Sequence, residues 1–162
     1  MLMRRAAVYR PSGSWPRREA AGTLTLDFDD RHRRRTRLCT DHGEEILLDL
    51  PKAIAMADGG GLQLEDGSWL TVQAAAEPTI EIRHADPVQL IRLAWHLGNR
   101  HLPTEIGKGV LRIRPDHVIE HMLEGLGAKL ARVRSPFQPE GGAYMTPEHR
   151  HGHDDSRHIH ER

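Results

Sequence analysis

Cysteine is nearly missing from this chain: its 162 residues include one, Cys39. A single thiol can form neither an intrachain disulfide nor a Cys-rich zinc site, so the composition points to a reducing compartment. Net charge is missing as well, because 23 basic side chains offset 23 acidic ones. That balance argues against a general nucleic-acid binder. Long apolar runs are also lacking, since no stretch approaches the ~18 consecutive apolar residues of a membrane span. The arginine-bearing start, MLMRRAAVYRPSGSWP, has no apolar segment of the kind a secretory signal carries. The expectation is a soluble cytoplasmic protein with neither nucleic acid nor membrane as partner. Its length suits one ordinary domain or two small ones of ~70 residues each.

Histidine is what the chain has in excess. There are 12, five of them between His149 and His160. Imidazole is the commonest side-chain metal ligand, so this excess is the main functional clue. A second local feature is the cationic run RHRRRTR, Arg31–Arg37. No aromatic residues alternate with its arginines, so a nucleic-acid base would find no stacking platform. Such a run is expected to be a solvated loop or a docking site for a partner protein.

Residues 1–76 read as short strands at Ala6–Arg10, Gly22–Phe28, Thr36–Thr40, Glu45–Leu50, Leu62–Glu65 and Trp69–Ala74. Leu24, Leu26 and Phe28 alternate with Thr23, Thr25 and Asp27, the period of a half-buried strand. Glu65-Asp66-Gly67-Ser68 predicts a tight hairpin, because Asp-Gly supplies positive φ. One short helical turn is expected between Pro51 and Asp58. From Glu77-Pro78 onward the pattern changes. Ile80–His84 reads as a strand, and Asp86-Pro87 opens a helix with Gln89 set for a capping box and Gly98-Asn99 as its close. Thr104–Ile106 and Val110–Arg114 read as strands. Asp116 caps a second helix that stops at Gly125/Gly127, and Lys129–Arg134 is a last strand. The order β-α-β-β-α-β is the ferredoxin-like arrangement. The fold class is therefore α+β: a small all-β domain over 1–76, a ferredoxin-like domain over 77–145 and a flexible His-rich tail over 146–162. Arg, Gly, Asp and Ser interrupt the tail histidines, unlike the consecutive histidines of an expression tag.

The first helix is apolar over a broad arc. Val88, Leu90, Ile91, Leu93, Ala94, Trp95 and Leu97 cover roughly 220°, where packing on one sheet needs only ~100°. The surplus is expected to meet a second copy of the chain, the alternative being a helix wedged inside its own monomer. On the second helix Val118, Ile119, Met122, Leu123 and Leu126 share one face, and His117, Glu120, His121 and Glu124 the other. His117 lies in the first turn, where the helix dipole favours the neutral imidazole that binds metal. His117 and His121, four apart, have the spacing at which two helical side chains share one ion, although a His-rich sequence produces such spacing by chance.

The strings HLGNRHLP (His96–Pro103), DHVIEHML (Asp116–Leu123) and PFQPEGGAY (Pro136–Tyr144) resemble the urease accessory protein UreE family. GEEILLDLPKA (Gly43–Ala53) and LEDGSWLTVQAA (Leu64–Ala75) extend the resemblance upstream in the same order. The resemblance implies a nickel metallochaperone, not an enzyme. It implies an N-terminal β domain that binds a peptide or partner and a C-terminal metal domain that dimerises. It also implies the GTPase UreG and the urease maturation complex as partners. The family's metal-binding histidine follows Gly-Asn-Arg, which is His101 here, and a second ligand falls at His117. Pro115 stands where some relatives carry a further histidine. The expected cargo is Ni(II), with Zn(II) or Cu(II) as competitors, since imidazole suits all three. One His101 cannot fill a coordination shell, but a two-fold axis supplies its twin. His117, or His149, His151, His153, His158 and His160 of the tail, would then complete the set. Two other readings compete: a zinc-dependent hydrolase using His117, Glu120 and His121 in the order H-x-x-E-H, and a partner-docking module built on Arg31–Arg37.

Overall fold

The computed structural model describes residues 3–141, so the five tail histidines from His149 to His160 lie outside the described residues. Two sheets follow one another along the chain. The first contains β1 (Arg4–Arg10), β2 (Ala20–Leu26), β3 (Arg35–Cys39), β4 (Glu45–Asp49), β5 (Gly61–Leu64) and β6 (Trp69–Ala74). Their order is β2-β6-β5-β1-β4-β3. Alternation decides which face is buried: Leu24 and Leu26 of β2, Ile46 and Leu48 of β4, and Leu70 and Val72 of β6 all enter one core. The Asp66-Gly67 hairpin forms as the sequence predicts. Gly67 has φ +85°, and Gly67 N donates to Leu64 O at 2.9 Å. Beyond β3, the Asp41 amide donates to Thr23 O at 2.9 Å, and its carboxylate accepts from Thr25 N and Thr25 Oγ1. These bonds draw the two edge strands together at that end.

Two expectations for this half need correction. Pro51 to Asp58 contains no helical turn. Its amides have distant partners instead: Met56 N donates to Arg31 O, Ala57 N to Tyr9 Oη and Asp58 N to the Gln138 side chain. The Arg31–Arg37 run is not one solvated loop. Arg31 and His32 belong to a 3-10 turn, Arg35–Arg37 start β3, and Arg31 is 2% exposed.

The second sheet contains β7 (Ala76–Arg83), β8 (Glu105–Gly107), β9 (Val110–Ile113) and β10 (Lys129–Pro136), in the order β10-β7-β9-β8 with every pair antiparallel. With helices α1 (Pro87–Asn99) and α2 (His117–Gly125), this is the ferredoxin-like arrangement. Pro78 is tolerated because β9 pairs with β7 only from Ile80 onward, which leaves an edge there. One core joins both helices to one sheet face: Leu93 and Leu97 from α1, Ile119 and Leu123 from α2, and Ile80, Ile82, Leu111 and Ile113 from the strands.

The helix starts follow the sequence, with one change of partner. The Asp86 side chain accepts from Val88 N at 2.9 Å. The Asp86 amide, however, donates to His84 Nδ1 at 3.0 Å, so no Gln89 capping box forms. On α2 the wheel overestimates the buried arc: Val118 is 74% exposed and Leu126 42%. Val118 sits a full 100° step from Ile119, at the rim of the stripe, and Leu126 lies past the helix end.

Candidate metal centre

The site is built at the end of α1. The helix closes at Asn99, as the sequence predicts, with Gly98 still inside it and Arg100 as its C-cap. His101 N donates to Gly98 O at 3.0 Å and Leu102 N to Leu97 O at 3.3 Å, the paired bonds of a Schellman ending. That ending needs a left-handed residue, and here it is His101, with φ +54°. Among the described residues it is the only non-glycine with positive φ. At the end of α2 the same two bonds run from Gly127 N to Glu124 O and from Ala128 N to Leu123 O, around Gly127 at φ +84°. One helix ends on the residue that backbone sterics favour. The other ends on an exposed imidazole. Pro103, two residues on, is the sequence signal that the chain leaves the helix here, with His101 rather than Gly98 as the left-handed residue.

His117 occupies the first turn of α2, above the Asp116 cap, whose side chain accepts from Val118 N and Ile119 N. An open cleft of about 310 Å³ is lined by Leu102, Pro103, Arg114, Pro115 and Asp116. Its walls are thus chain neighbours of both His101 and His117, so the end of α1 and the start of α2 share one end of the helix layer. Neither imidazole itself lines the cleft. His121 is exposed one turn along α2. Among the described residues no three His, Cys, Asp or Glu side chains gather as a metal site.

Glu120, the base that a hydrolase would need, is committed elsewhere. One oxygen accepts from Asp116 N at 3.1 Å, and the other holds Arg132 at 2.8 Å. A carboxylate that caps its own helix and pairs with an arginine is a structural group.

The outer side of α1 carries a further feature. Leu93 and Leu97 face the sheet, while Val88, Ile91 and Trp95 are 54%, 69% and 63% exposed on the opposite side. They form an apolar stripe that runs toward His101. Single exposed apolar residues are ordinary, whereas an aligned row is the kind of patch that contact surfaces present.

A β domain followed by a ferredoxin-like domain, with an exposed imidazole on a helix end near an apolar stripe, defines a small two-domain α+β protein. Residues 6–75 match the family model of the UreE urease accessory protein N-terminal domain, and residues 77–162 that of its C-terminal domain. The chain is 60% identical over 128 residues to the urease accessory protein UreE of Rhodopseudomonas palustris (strain BisB18), covering 79% of this chain and 61% of that protein. It is 59% identical over 133 residues to that of Bradyrhizobium sp. (strain ORS 278), covering 82% and 63%. Identity is 50% over 139 residues to that of Chelativorans sp. (strain BNC1), covering 86% and 85%. The chain therefore spans less than two thirds of the first two relatives and most of the third. It belongs to the UreE family of urease accessory proteins, a family of accessory proteins rather than enzymes.

No helix among the described residues is long and apolar enough to cross a membrane.

Proposed function

We propose that this protein is a cytoplasmic nickel metallochaperone that works as a homodimer. It binds Ni(II) between the His101 residues of two copies and passes the ion to the urease maturation complex through the GTPase UreG. The observation that carries this reading is His101 held in a left-handed conformation at the end of the exposed Val88–Ile91–Trp95 stripe. If the stripes of two copies pack across a two-fold axis, the same contact draws both His101 loops toward that axis. Burying the exposed part of such side chains contributes at most about 1.5–3 kcal/mol each. Two imidazoles leave open positions, which suits an ion that must leave again by ligand exchange.

The remaining ligands come from His117 or from His149, His151, His153, His158 and His160. The path of the chain supports the tail as a source. Glu140 N donates to Thr104 O at 2.8 Å, so the last described residues run beside the loop that follows His101. His149 is nine residues further on, a reach of up to ~30 Å. Zinc and copper compete for the same imidazoles, because ligand type alone does not select nickel.

Calorimetric titration with nickel is expected to give one tight ion per dimer, lost in His101→Ala. Deleting residues 146–162 should remove the weaker additional ions and keep the tight one. Tight binding that survives His101→Ala rejects the assignment. Trp95→Glu places a charge in the middle of the stripe and should convert the dimer to monomer in sedimentation at micromolar concentration, with loss of the tight site. A Trp95→Glu dimer as firm as the parent would move the interface off α1.

A further inference from the structure

Strand β3 is one edge of the six-stranded sheet. Leu50 N donates to Arg34 O at 2.9 Å and Thr40 N to Glu44 O at 2.8 Å. With the register running from Arg35↔Asp49 to Cys39↔Glu45, residues 34, 36, 38 and 40 take the hydrogen-bonded positions toward β4. Arg35, Arg37 and Cys39 therefore direct their N–H and C=O groups to the outer side. Past Cys39 the edge is closed by Asp41 bonding to β2, which leaves Arg35–Arg37 as the open length. Its only further bond among the described residues is a 3.4 Å contact from Thr36 Oγ1 to Arg37 O.

The side chains around this edge are of one sign. Arg33, Arg34, Arg35 and Arg37 are all exposed. Among the described residues their only ion pair is Arg35 with Asp49 at 3.9 Å, and Arg5 holds the same carboxylate at 2.9 Å. Excess cations along an open strand edge commonly deter pairing. The same cations select a strand that carries carboxylates, because opposite charges directly across a pair stabilise it and like charges do not.

We propose that the outer edge of β3 receives an acidic extended segment of a partner protein, which joins the sheet as an added strand with its carboxylates opposite Arg35 and Arg37. Main-chain bonds to Arg35 and Arg37 supply the affinity, and the arginines supply the selectivity. A second copy of this chain is the wrong occupant, since β3 against β3 sets arginine against arginine. Nucleic acid is disfavoured because no aromatic residue interleaves with the arginines. The surface lies in the N-terminal sheet and is independent of the nickel reading.

The probe is a fluorescein-labelled octapeptide of alternating glutamate and valine, titrated with the full chain by anisotropy at low salt. Saturable binding is expected, weakened about tenfold or more by the double substitution Arg35→Glu and Arg37→Glu. Far-ultraviolet circular dichroism and the urea midpoint should be unchanged in that variant, which reports that its N-terminal sheet is folded. The same peptide with alternate amides N-methylated should lose binding to the unaltered protein, a test that needs no variant. The proposal is overturned by absence of binding to millimolar peptide, by binding that ignores either change, or by tighter binding of an oligouridylate of equal length.

Discussion

Phe137→Ala should lower the free energy of unfolding by about 3–5 kcal/mol, the cost of a core phenylalanine, although the residue belongs to neither of the two main cores. Phe137 is 0% exposed, and its ring lies 5.3 Å from that of Phe28. Its carbonyl accepts from Arg31 Nη2. The same guanidinium donates to Met56 O at 3.2 Å and Leu26 O at 3.3 Å. Burial pushes the pKa of Arg31 down, partly offset by the more distant Glu77, Asp58 and Asp27. Three carbonyls thus satisfy a buried cation that has no carboxylate within ion-pair distance among the described residues. Around this pair the two sheets are stitched together. Phe28 N donates to Glu77 at 2.8 Å. Arg114 lies 4.4 Å over the Phe28 ring and pairs with Asp29 at 3.0 Å. The Gln138 side-chain oxygen accepts from Asp58 N, and the Gln138 backbone N donates to Glu105. Removing the ring empties the joint between these groups, so urea unfolding should shift to a lower midpoint and broaden as the two cores uncouple. A loss below about 1 kcal/mol would show that the joint adds little beyond two independently stable halves.

How legible the molecule is in its sequence depends on how local the cause is. The strands of the first half can be read because alternation at Leu24, Leu26, Ile46 and Leu48 is a short-range pattern, and both helix starts because Asp86 and Asp116 cap within three residues. The failures have distant causes. Arg31 belongs to a basic run by composition, yet its partners are residues 26, 56 and 137, which no local pattern connects to it. Pro51 to Asp58 looks able to turn, but its amides are taken by Tyr9, Arg31 and Gln138. The surplus apolar arc of α1 was legible as a surplus. That it consists of Val88, Ile91 and Trp95, opposite the sheet, required the packing. Of the candidate metal centre, His101 and His117 could be named from their motifs. The left-handed backbone of His101 could not, since glycine is the usual sign of it.

That backbone leads to the prediction that separates stability from function. His101→Gly is expected to raise the stability of the metal-free protein by roughly 0.5–1 kcal/mol, because glycine takes positive φ without the side-chain clash that histidine bears. Gly127 shows the same ending already built that way in this chain, at φ +84° with matching hydrogen bonds. His101→Ala keeps a Cβ and loses the imidazole, so it should be no more stable than the parent. His101→Asn, whose side chain tolerates the left-handed region, should fall between alanine and glycine. All three should lose the tight nickel ion. Thermal unfolding without metal, at one fixed protein concentration so that dimerisation contributes equally, ranks the variants, and nickel titration tests the loss. If glycine and alanine were equally stable, the backbone of His101 would carry no strain. If glycine is the more stable, a histidine at this position is maintained against the preference of the fold, which is the expected cost of a residue kept for what its ring binds.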